Sequence, residues 1–383
     1  MKRIVHMTSV HSRGDTRIAL KECKAVLRAG FECILIVADG KGDELANGVQ
    51  VMDVGAATSR PSRMTKIALR VGKLAKALNA HAYHFHDPEL IPVGLALRRT
   101  GKTVIYDVHE DVPADILSKP WIPAWQRRIV SASFGRFETH AIRKMSAVVT
   151  AWPYLREKFQ TLNPQVVDIV NYAVDDELFI DVPWCSRPRD VCYVGGISNI
   201  RGIFELMTAL ESCDARLILG GDFHERETEE RVRSMSAWNR VNYLGFLDRR
   251  GFAQAMARCR VGLVTFLPEP NHLNAMPNKL FEYMSAGLPV IASNFPRWRE
   301  IVEGHRCGIC VDPRDPREIS QAILRLVSDS GEAEQMGANG RKAVLSTFNW
   351  STEEQRLIDL YERLLEGGDA GAARVHELNR KEA

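Results

Sequence analysis

The stretch from Met276 to Ser293, MPNKLFEYMSAGLPVIAS, constrains the fold of this chain more than any other. Apolar residues at helical spacing predict a short helix over residues 278–286, which Gly287 ends. Pro289 then opens the apolar run Val290–Ala292, which is typical of a buried strand. A helix joined to a buried strand by a tight turn indicates an α/β fold.

The start of this helix has the features of an anion site. A helix N-terminus presents unpaired N–H groups and about half a positive charge, so it can hold a phosphate. Pro277 fits the first turn, where its missing N–H costs nothing. Lys279 adds a mobile cation, and Glu282 can accept hydrogen bonds from a ribose diol. Together they suggest a nucleotide-diphosphate site. The alternative is an ordinary helix whose Lys279 and Glu282 lie on a solvated face.

Length and apolar content allow a large core. With 383 residues and 45% hydrophobic content, the chain is expected to form two domains. Lys2 and Arg3 are followed by no long apolar run, and no segment has the length of a membrane span. We therefore expect a cytoplasmic protein. Cys307 and Cys310 form a lone CxxC without the second ligand pair that zinc would need, which favours two reduced structural cysteines.

Charge is distributed unevenly along the chain. Residues 1–170 carry 25 Lys and Arg against 16 Asp and Glu, whereas residues 171–383 carry 26 against 32. The basic first half is expected to meet an anionic surface or substrate. Nucleic acid is not expected as a partner, because no nucleic-acid-binding motif is recognised.

An amphipathic helix is predicted from Arg60 to Leu78. Its apolar residues repeat at helical spacing beside a basic row of Arg63, Lys66, Arg70 and Lys73. Most such rows are solvated faces, but a basic amphipathic helix can also lie on anionic lipid. The segment 119–128 places tryptophans beside arginines, which suits either a membrane interface or packing in a loop.

Two histidine–acid pairs follow predicted strands. His86-Asp87 comes after the strand 82–85, and His109-Glu110 comes after the strand 103–108. Ligands of open α/β sheets bind beyond the C-terminal ends of strands, so both pairs are candidate site residues. The alternative for His86 is a capping role beside Asp87. The first βαβ unit lacks GxGxxG, which disfavours a dinucleotide-dependent dehydrogenase.

The segment 276–293 resembles the donor-binding segment of retaining GT-B glycosyltransferases, and of glycosyltransferase family 4 in particular. YDVHED around His109 resembles the segment that carries the family's active-site histidine, and Asn171 in N-x-x-D resembles its hinge asparagine. The resemblance extends over roughly residues 1–366.

The resemblance implies an α/β fold of the GT-B type, with two Rossmann-like parallel-sheet domains that face a cleft and a C-terminal helix that crosses back to the N-terminal domain. The N-terminal acceptor-side domain is predicted at residues 1–174, a linker at 175–190 and the nucleotide-sugar-binding domain at 191–349. The crossover helix is predicted at 350–366, and a disordered tail at 367–383.

The resemblance also implies the site residues. His109, Arg201 and Lys279 are the predicted catalytic residues. The predicted donor-binding residues are Gly14, Gly196, Asn274, Pro277, Asn278, Glu282 and Gly245. The candidate acceptor-side residues are His86 and Arg13. No metal or other cofactor is expected, since the nucleotide-sugar is a co-substrate and no DxD motif follows a strand.

Two positions depart from the family pattern. Many members carry Glu-x7-Glu, where this chain has Asn274 and Glu282. An amide can still hydrogen-bond a sugar hydroxyl, but the identity of the donor stays open. Many members also carry an arginine where this chain has Gly196, so Arg201 and Lys279 are expected to carry more of the phosphate charge.

The resemblance implies a retaining hexosyltransferase that moves a sugar from a UDP- or GDP-sugar to a saccharide or lipid-linked acceptor. Synthesis of a cell-surface polysaccharide or glycolipid is the expected role, with the protein cytoplasmic or peripheral on the inner face of the membrane. Two alternatives stay open: a nucleotide-sugar epimerase of the same fold, and a non-catalytic scaffold that binds partners or membrane.

Overall fold

A computed structural model of the chain describes residues 1–119, 121–174 and 177–379, with side chains to residue 366. The chain divides into two compact units. Unit 1 comprises residues 1–171 and the residues from Thr352 onward, and unit 2 comprises Tyr172–Ser351. Each unit is a parallel sheet flanked by helices, so the predicted fold of two Rossmann-like domains is confirmed.

Unit 1 contains an eight-stranded sheet in the order β3-β4-β2-β1-β5-β6-β7-β8. Only the edge pair β3–β4 is antiparallel among the pairs of this sheet. Strand order reverses between β1 and β5, which makes their C-terminal ends the topological switch point where ligands of such sheets bind. The strands are β1 (Arg3–Met7), β2 (Glu32–Val37), β3 (Glu44–Ala46), β4 (Val49–Asp53), β5 (Ala82–Phe85), β6 (Thr103–Val108), β7 (Ala147–Thr150) and β8 (Val166–Asp168).

The helices of unit 1 follow the apolar periodicity of the sequence. They are α1 (Cys23–Arg28), α2 (Arg60–Ser62), α3 (Ala68–Leu78), α4 (Ile91–Arg99), α5 (Val112–Ser118), α6 (Ala124–Ile142) and α7 (Pro153–Phe159). A π-helical turn at Arg63–Ile67 joins α2 to α3, so the predicted helix 60–78 is continuous. The helix that follows the loop after β1 begins as a π-helical turn at Ile18–Glu22 and continues as α1.

Unit 2 contains a six-stranded parallel sheet in the order β11-β10-β9-β12-β13-β14. This is the strand order 3-2-1-4-5-6 of the Rossmann fold, and its switch point lies between β9 and β12. The strands are β9 (Asp190–Val194), β10 (Arg216–Gly220), β11 (Val241–Gly245), β12 (Val261–Val264), β13 (Val290–Ser293) and β14 (Gly308–Val311).

The helices of unit 2 pack on both faces of its sheet. They are α8 (Ile203–Glu211), α9 (Arg226–Ser234), α10 (Arg249–Ala257), α11 (Asn278–Ser285), α12 (Pro296–Val302), α13 (Pro316–Ser328) and α14 (Ser330–Ser346). The predicted helix–turn–strand of 276–293 is present as α11 and β13. Gly287 follows α11 with φ of +71°, a conformation that favours glycine and ends a helix.

The last helix, α15 (Trp350–Asn379), returns to unit 1 as predicted. Glu353 accepts a hydrogen bond from the Val170 N–H at 2.8 Å, and the Tyr361 hydroxyl lies 2.6 Å from His84 Nδ1. The predicted tail at 367–383 is helical as far as Asn379, and residues 380–383 lie outside the described residues. Of the predicted linker, residues 175 and 176 also lie outside them. Among the described helices, none is both long and apolar enough to cross a membrane.

Candidate functional site

The loop after β9 forms one wall of the candidate site in unit 2. Gly195 has φ of +107°, a backbone conformation that side-chain-bearing residues rarely adopt. Gly221, after β10, has φ of +123°, and a Cβ there would overlap the Gly195 carbonyl. Glycines at both positions therefore let the backbones that follow β9 and β10 pack directly against each other.

Lys279 lies beside this loop and is buried. Its side chain is only 6% exposed, and Nζ lies 3.5 Å from the centroid of the Tyr193 ring. Nζ has no hydrogen-bond partner in the described part of the chain. Burial, and then the nearby Arg201, hold the pKa of Lys279 well below its usual value. The prediction that Lys279 is a mobile cation is therefore wrong, because its side chain packs over the Tyr193 ring and against Gly195.

Arg201 occupies the space next to Gly196. Its Nη1 donates to the Gly196 carbonyl at 2.9 Å, and its guanidinium lies 5.5 Å from the Phe266 ring. A Cβ at Gly196 would overlap the side chains of Arg201 and His224. Glycine at position 196 therefore has a steric reason, because the Arg201 guanidinium already fills the space that a larger side chain would need. Gly196, Arg201 and Lys279 are brought together as predicted.

Glu282 is one turn further along α11 and is held by a residue that sequence reasoning missed. Arg249 Nη1 donates to Glu282 Oε1 at 2.6 Å, and the same guanidinium pairs with Glu177 at 3.0 Å. The two carboxylates raise the pKa of Arg249 in spite of its burial. Asp248 caps α10 just before Arg249, but nothing in the local sequence indicates which helix Arg249 faces.

The other predicted donor-binding residues surround this site less closely. Pro277 is the N-cap of α11 and not a first-turn residue, with ψ of 132°. Asn278 is exposed and Asn274 is half-buried. Gly245, which ends β11, has φ of +66°, and its carbonyl accepts a hydrogen bond from the Gly221 N–H at 2.6 Å. The glycine loops after β9, β10 and β11 therefore adjoin one another.

His109 is the exposed end of a polar network in unit 1. Its Nε2 lies 3.0 Å from Asp107 Oδ2 and 3.2 Å from His86 Nδ1, and its side chain is 19% exposed. Asp107 is fully buried and also forms a bidentate pair with Arg17 at 2.8 and 2.9 Å. Although burial opposes it, Arg17 and His109 keep the pKa of Asp107 well below its usual value. A charged carboxylate thus orients the His109 ring.

His86 is buried beneath His109 and does not reach the surface. Its ring is fully buried, with Nε2 at 2.9 Å from His6 Nδ1 and Nδ1 at 3.1 Å from Asp107. The capping alternative is wrong as well, because Asp87 makes no cap hydrogen bond and instead accepts from Thr8 and from the Ser9 N–H. His86 can act on an acceptor only through its neighbours.

The loop after β1 carries the remaining predicted residues. Arg13 pairs with Asp39, just after β2, at 2.7 Å and with Glu44 of β3 at 3.1 Å, so its charge is balanced by these neighbouring elements. Gly14 has nothing within 4 Å of the position that a Cβ would take, so the structure gives no steric reason for glycine there. His11, which sequence reasoning passed over, lies 5.0 Å from His109 ring to ring and is bound to Asp15 at 3.0 Å.

More of the unit 1 network was missed. Its further members are His6, Arg17, Glu22, His84, Asp107 and Tyr361. One signal was available: His84 in β5 and His86 just beyond its end are two residues apart, and extended backbone at that spacing places both side chains on one face of the sheet. Nothing local indicates that His6 on β1 stands beside His84 on β5, which is a matter of strand register.

Two family models match the chain in sequence. The model of the glycosyl transferase 4-like domain matches residues 14–172, and the model of glycosyl transferases group 1 matches residues 188–329. The two matches fall on different units and together include His109, Arg201 and Lys279. The chain belongs to the glycosyltransferase 4-like family. This glycosyltransferase is of the GT-B type, as the resemblance implied.

Characterised and uncharacterised relatives share limited identity with this glycosyltransferase. An uncharacterized glycosyltransferase of Methanocaldococcus jannaschii is 26% identical over 59% of this chain, and the match spans less than two thirds (64%) of that relative. The MMP alpha-(1->4)-mannosyltransferase of Mycolicibacterium hassiacum is 22% identical over 73% of this chain and 70% of the relative. A GDP-mannose-dependent alpha-(1-6)-phosphatidylinositol monomannoside mannosyltransferase of Mycobacterium tuberculosis is 36% identical, over 23% of this chain and 22% of its own.

Solved structures share the fold of this glycosyltransferase. A sucrose-phosphate synthase from Thermosynechococcus elongatus has a TM-score of 0.78 at 19% identity, covering 96% of this chain and 100% of that chain. The Anabaena protein HepE in complex with UDP-glucose has a TM-score of 0.72 at 18% identity, covering 95% and 100%. At such identities the likeness concerns the fold.

Proposed function

We propose that this glycosyltransferase moves a sugar from a UDP- or GDP-sugar to a saccharide or lipid-linked acceptor with retention of anomeric configuration. The observation that carries the proposal is the buried Lys279 ammonium, which has no hydrogen-bond partner among the described residues and stands beside Arg201 and the glycine loop. Burying an unpaired cation costs several kcal/mol, so such a group favours a ligand that brings the opposite charge. A diphosphate is that ligand.

The proposed chemistry rests on charge stabilisation. Lys279 and Arg201 would neutralise the charge that develops on the diphosphate as the glycosidic bond breaks. The acceptor hydroxyl would attack the sugar from the face that the diphosphate leaves. The released phosphate oxygen would take the proton of that hydroxyl. His109, oriented by Asp107, would hydrogen-bond the transferred sugar. Because the two cations supply the charge, we propose that transfer needs no metal ion.

The proposed donor is a nucleotide-diphosphate sugar, and experiment has to distinguish a UDP-sugar from a GDP-sugar. One neighbour in structure was solved with UDP-glucose, and one relative is GDP-mannose-dependent, which supports both bases. Calorimetric titration with UDP, GDP and ADP, followed by UDP-glucose and GDP-mannose, tests the proposal. One of the first two nucleotides should bind at least tenfold more tightly than ADP. Equal, weak binding of all three would overturn it.

Retention and metal independence need their own measurements. Proton NMR of the first product formed gives the anomeric configuration directly, and an inverted linkage would refute the retaining mechanism. Turnover of the dialysed enzyme should be the same with and without added Mg²⁺ or Mn²⁺. Donor consumption with and without an acceptor extract separates transfer from the alternatives. An epimerase consumes donor without acceptor, and a scaffold consumes none.

We propose further that unit 1 contacts the inner face of an anionic membrane, which would suit a lipid-linked acceptor and a role in cell-surface polysaccharide or glycolipid synthesis. Trp121 and Trp125 are 55% and 72% exposed, and the Arg60 guanidinium lies 4.1 Å from the Trp121 ring. The segment before α6 and the start of the helix 60–78 therefore form one surface. Tryptophans beside cations suit a lipid headgroup region.

The basic row of that helix is only partly available. Arg63 is paired with Glu89 at 2.5 Å, and Arg70 donates to the Val54 carbonyl at 3.1 Å. Lys66 and Lys73 are exposed. Lipid binding is therefore expected to rest on these two lysines and the tryptophans more than on the full predicted row.

A further inference from the structure

Four side chains converge at the switch point of unit 1 in a cluster that the transfer reaction does not use directly. His6 comes from β1, His84 from β5, His86 from the residue that directly follows β5, and Glu22 from the π-helical turn before α1. All four are essentially fully buried, and one potential ligand atom of each lies within 4.8 Å of those of the others. Three imidazoles and a carboxylate form a donor set typical of zinc.

The distances among three of the four side chains, His6, Glu22 and His86, have the dimensions of a metal site. Glu22 Oε2 lies 3.8 Å from His6 Nδ1 and 3.8 Å from His86 Nε2, and these two nitrogens are 2.9 Å apart. A point equidistant from the three atoms lies about 2.1 Å from each, which is the length of Zn–N and Zn–O bonds. A hydrogen bond between the two histidines explains the shortest of the three distances but not the position of the carboxylate.

Two buried atoms of the cluster lack hydrogen bonds. Glu22 Oε2 and His84 Nε2 have no hydrogen-bond partner in the part of the chain that the structure describes. Glu22 and Asp107 both pair with the one guanidinium of Arg17, at 3.0 and 2.8 Å, so the cluster holds two carboxylates and one arginine. Leaving a buried oxygen and a buried ring nitrogen without partners is costly, and a metal ion bound to both atoms would remove that cost.

The opposite ring nitrogens are held as they are in metal sites. His86 Nδ1 is bound to the Asp107 carboxylate at 3.1 Å, and His6 Nε2 and His84 Nδ1 are bound to the Tyr361 hydroxyl at 3.1 and 2.6 Å. Such outer partners orient metal-ligating histidines and select their tautomer.

We propose that His6, Glu22, His84 and His86 bind one structural Zn²⁺ ion. The ion would join β1, β5 and the π-helical turn, and through His86 and Asp107 it would hold His109 in place. The site is separate from the diphosphate site of unit 2 and closed to solvent, so it is structural, and it leaves the proposed metal-free transfer chemistry unchanged. It does not depend on the identity of the donor.

Elemental analysis tests the proposal on the full chain, expressed without a histidine tag. We expect close to one Zn²⁺ per chain after dialysis, and loss of most of it in Glu22→Gln. His140→Gln removes an exposed histidine of unit 1 and should keep the metal. Replacement by Co²⁺ should give the intense visible bands of a four-coordinate site in wild type and not in Glu22→Gln.

A second measurement needs no variant. Wild type stripped with a strong chelator should melt lower, and Zn²⁺ at about a hundred times its Kd should raise the melting temperature by about 5–10 °C. If the untagged protein contains no metal, and Zn²⁺ neither binds nor raises the melting temperature, the cluster is a hydrogen-bonded network and the proposal is overturned. Nucleotide titration of the same samples keeps this outcome separate from the proposed function.

Discussion

The two switch points differ in how their buried charges are satisfied. In unit 2, Lys279 is buried beside Arg201 with no hydrogen-bond partner among the described residues. In unit 1, Asp107 is surrounded by Arg17, His86 and His109, all within hydrogen-bonding distance. The anion site of unit 2, as far as the structure describes it, therefore lacks a partner for its cation until a ligand binds, whereas in unit 1 the charge of Asp107 is already compensated and its neighbours present the single ring of His109.

The comparison has an energetic consequence. An unpaired buried cation weakens the folded state, and a ligand that pairs with it recovers that free energy on binding. A carboxylate held by a bidentate arginine is already stabilised and gains little from a ligand. We therefore expect donor affinity to depend on unit 2, and sugar positioning and fold stability to depend on unit 1.

The largest effect is expected from His109→Ala. Transfer should fall by up to about a thousandfold, the effect of removing one preorganised hydrogen-bond donor at a reacting group, while nucleotide affinity should change little. Steady-state kinetics, calorimetry and a melting curve measure the three quantities. His140→Ala, at an exposed position in unit 1, is the control. A fall in melting temperature with activity lost only in proportion to unfolding would make His109 a structural residue.

Lys279→Met should reduce turnover about a hundredfold or more, because one preorganised charge at the leaving group is lost. The same substitution should leave the melting temperature of the nucleotide-free protein equal or higher, since it removes a buried unpaired ammonium and keeps an apolar side chain of similar length. A lower turnover together with an unchanged or higher melting temperature would confirm that the buried charge of unit 2 serves ligand binding and not fold stability. A variant that is destabilised yet fully active at saturating donor would contradict it.

Lys66→Gln with Lys73→Gln should weaken binding to phosphatidylglycerol vesicles about thirtyfold, at about 1 kcal/mol for each lysine near the surface. Sedimentation at low and high salt measures it, because salt screens the attraction. The matched control in unit 2 changes two exposed cations, Arg314→Gln with Lys342→Gln. Equal losses in the two double variants would show that net charge, and not this surface of unit 1, is responsible.

Glu282→Gln should weaken nucleotide binding about tenfold, the effect of one hydrogen bond to a charged group. Calorimetry with the nucleotide alone measures it. Glu177→Gln is the control, since Glu177 holds the same Arg249 but lies outside α11. If both variants lose affinity equally, Glu282 acts only by holding Arg249, and the ribose contact is refuted.

The smallest effect concerns pH. Burial lowers the pKa of Lys279 in the free protein, and a bound diphosphate should raise it. Nucleotide binding should therefore take up a proton between these two pKa values, and affinity should fall as pH rises through that window. Calorimetry in two buffers of different ionisation enthalpy, at about pH 8–10 where the nucleotide phosphates are ionised, measures the uptake. Lys279→Met should abolish it, and uptake that persists in this variant would place the proton elsewhere.

The sequence predicted helices and strands better than it predicted the burial and contacts of individual side chains. The helix and strand within 276–293, the helix over 60–78 and the return of the last helix to unit 1 were all foreseen, because apolar periodicity is a local property. The same periodicity shows on which face of the helix Lys279 lies, but it does not show how deeply the side chain is buried. The structure packs that side chain over Tyr193, and this turns a mobile cation into a buried one.

The sequence by itself determined the α/β class and the residue types in 276–282 that could meet a diphosphate, because apolar periodicity and helix-end chemistry act over a few neighbours. Only the tertiary structure decided that His6 stands beside His84, that Arg249 reaches Glu282 and that Tyr361 closes the histidine cluster. Each of these contacts joins residues far apart in the chain. Strand order and register decide such contacts, and those depend on how every element packs at once.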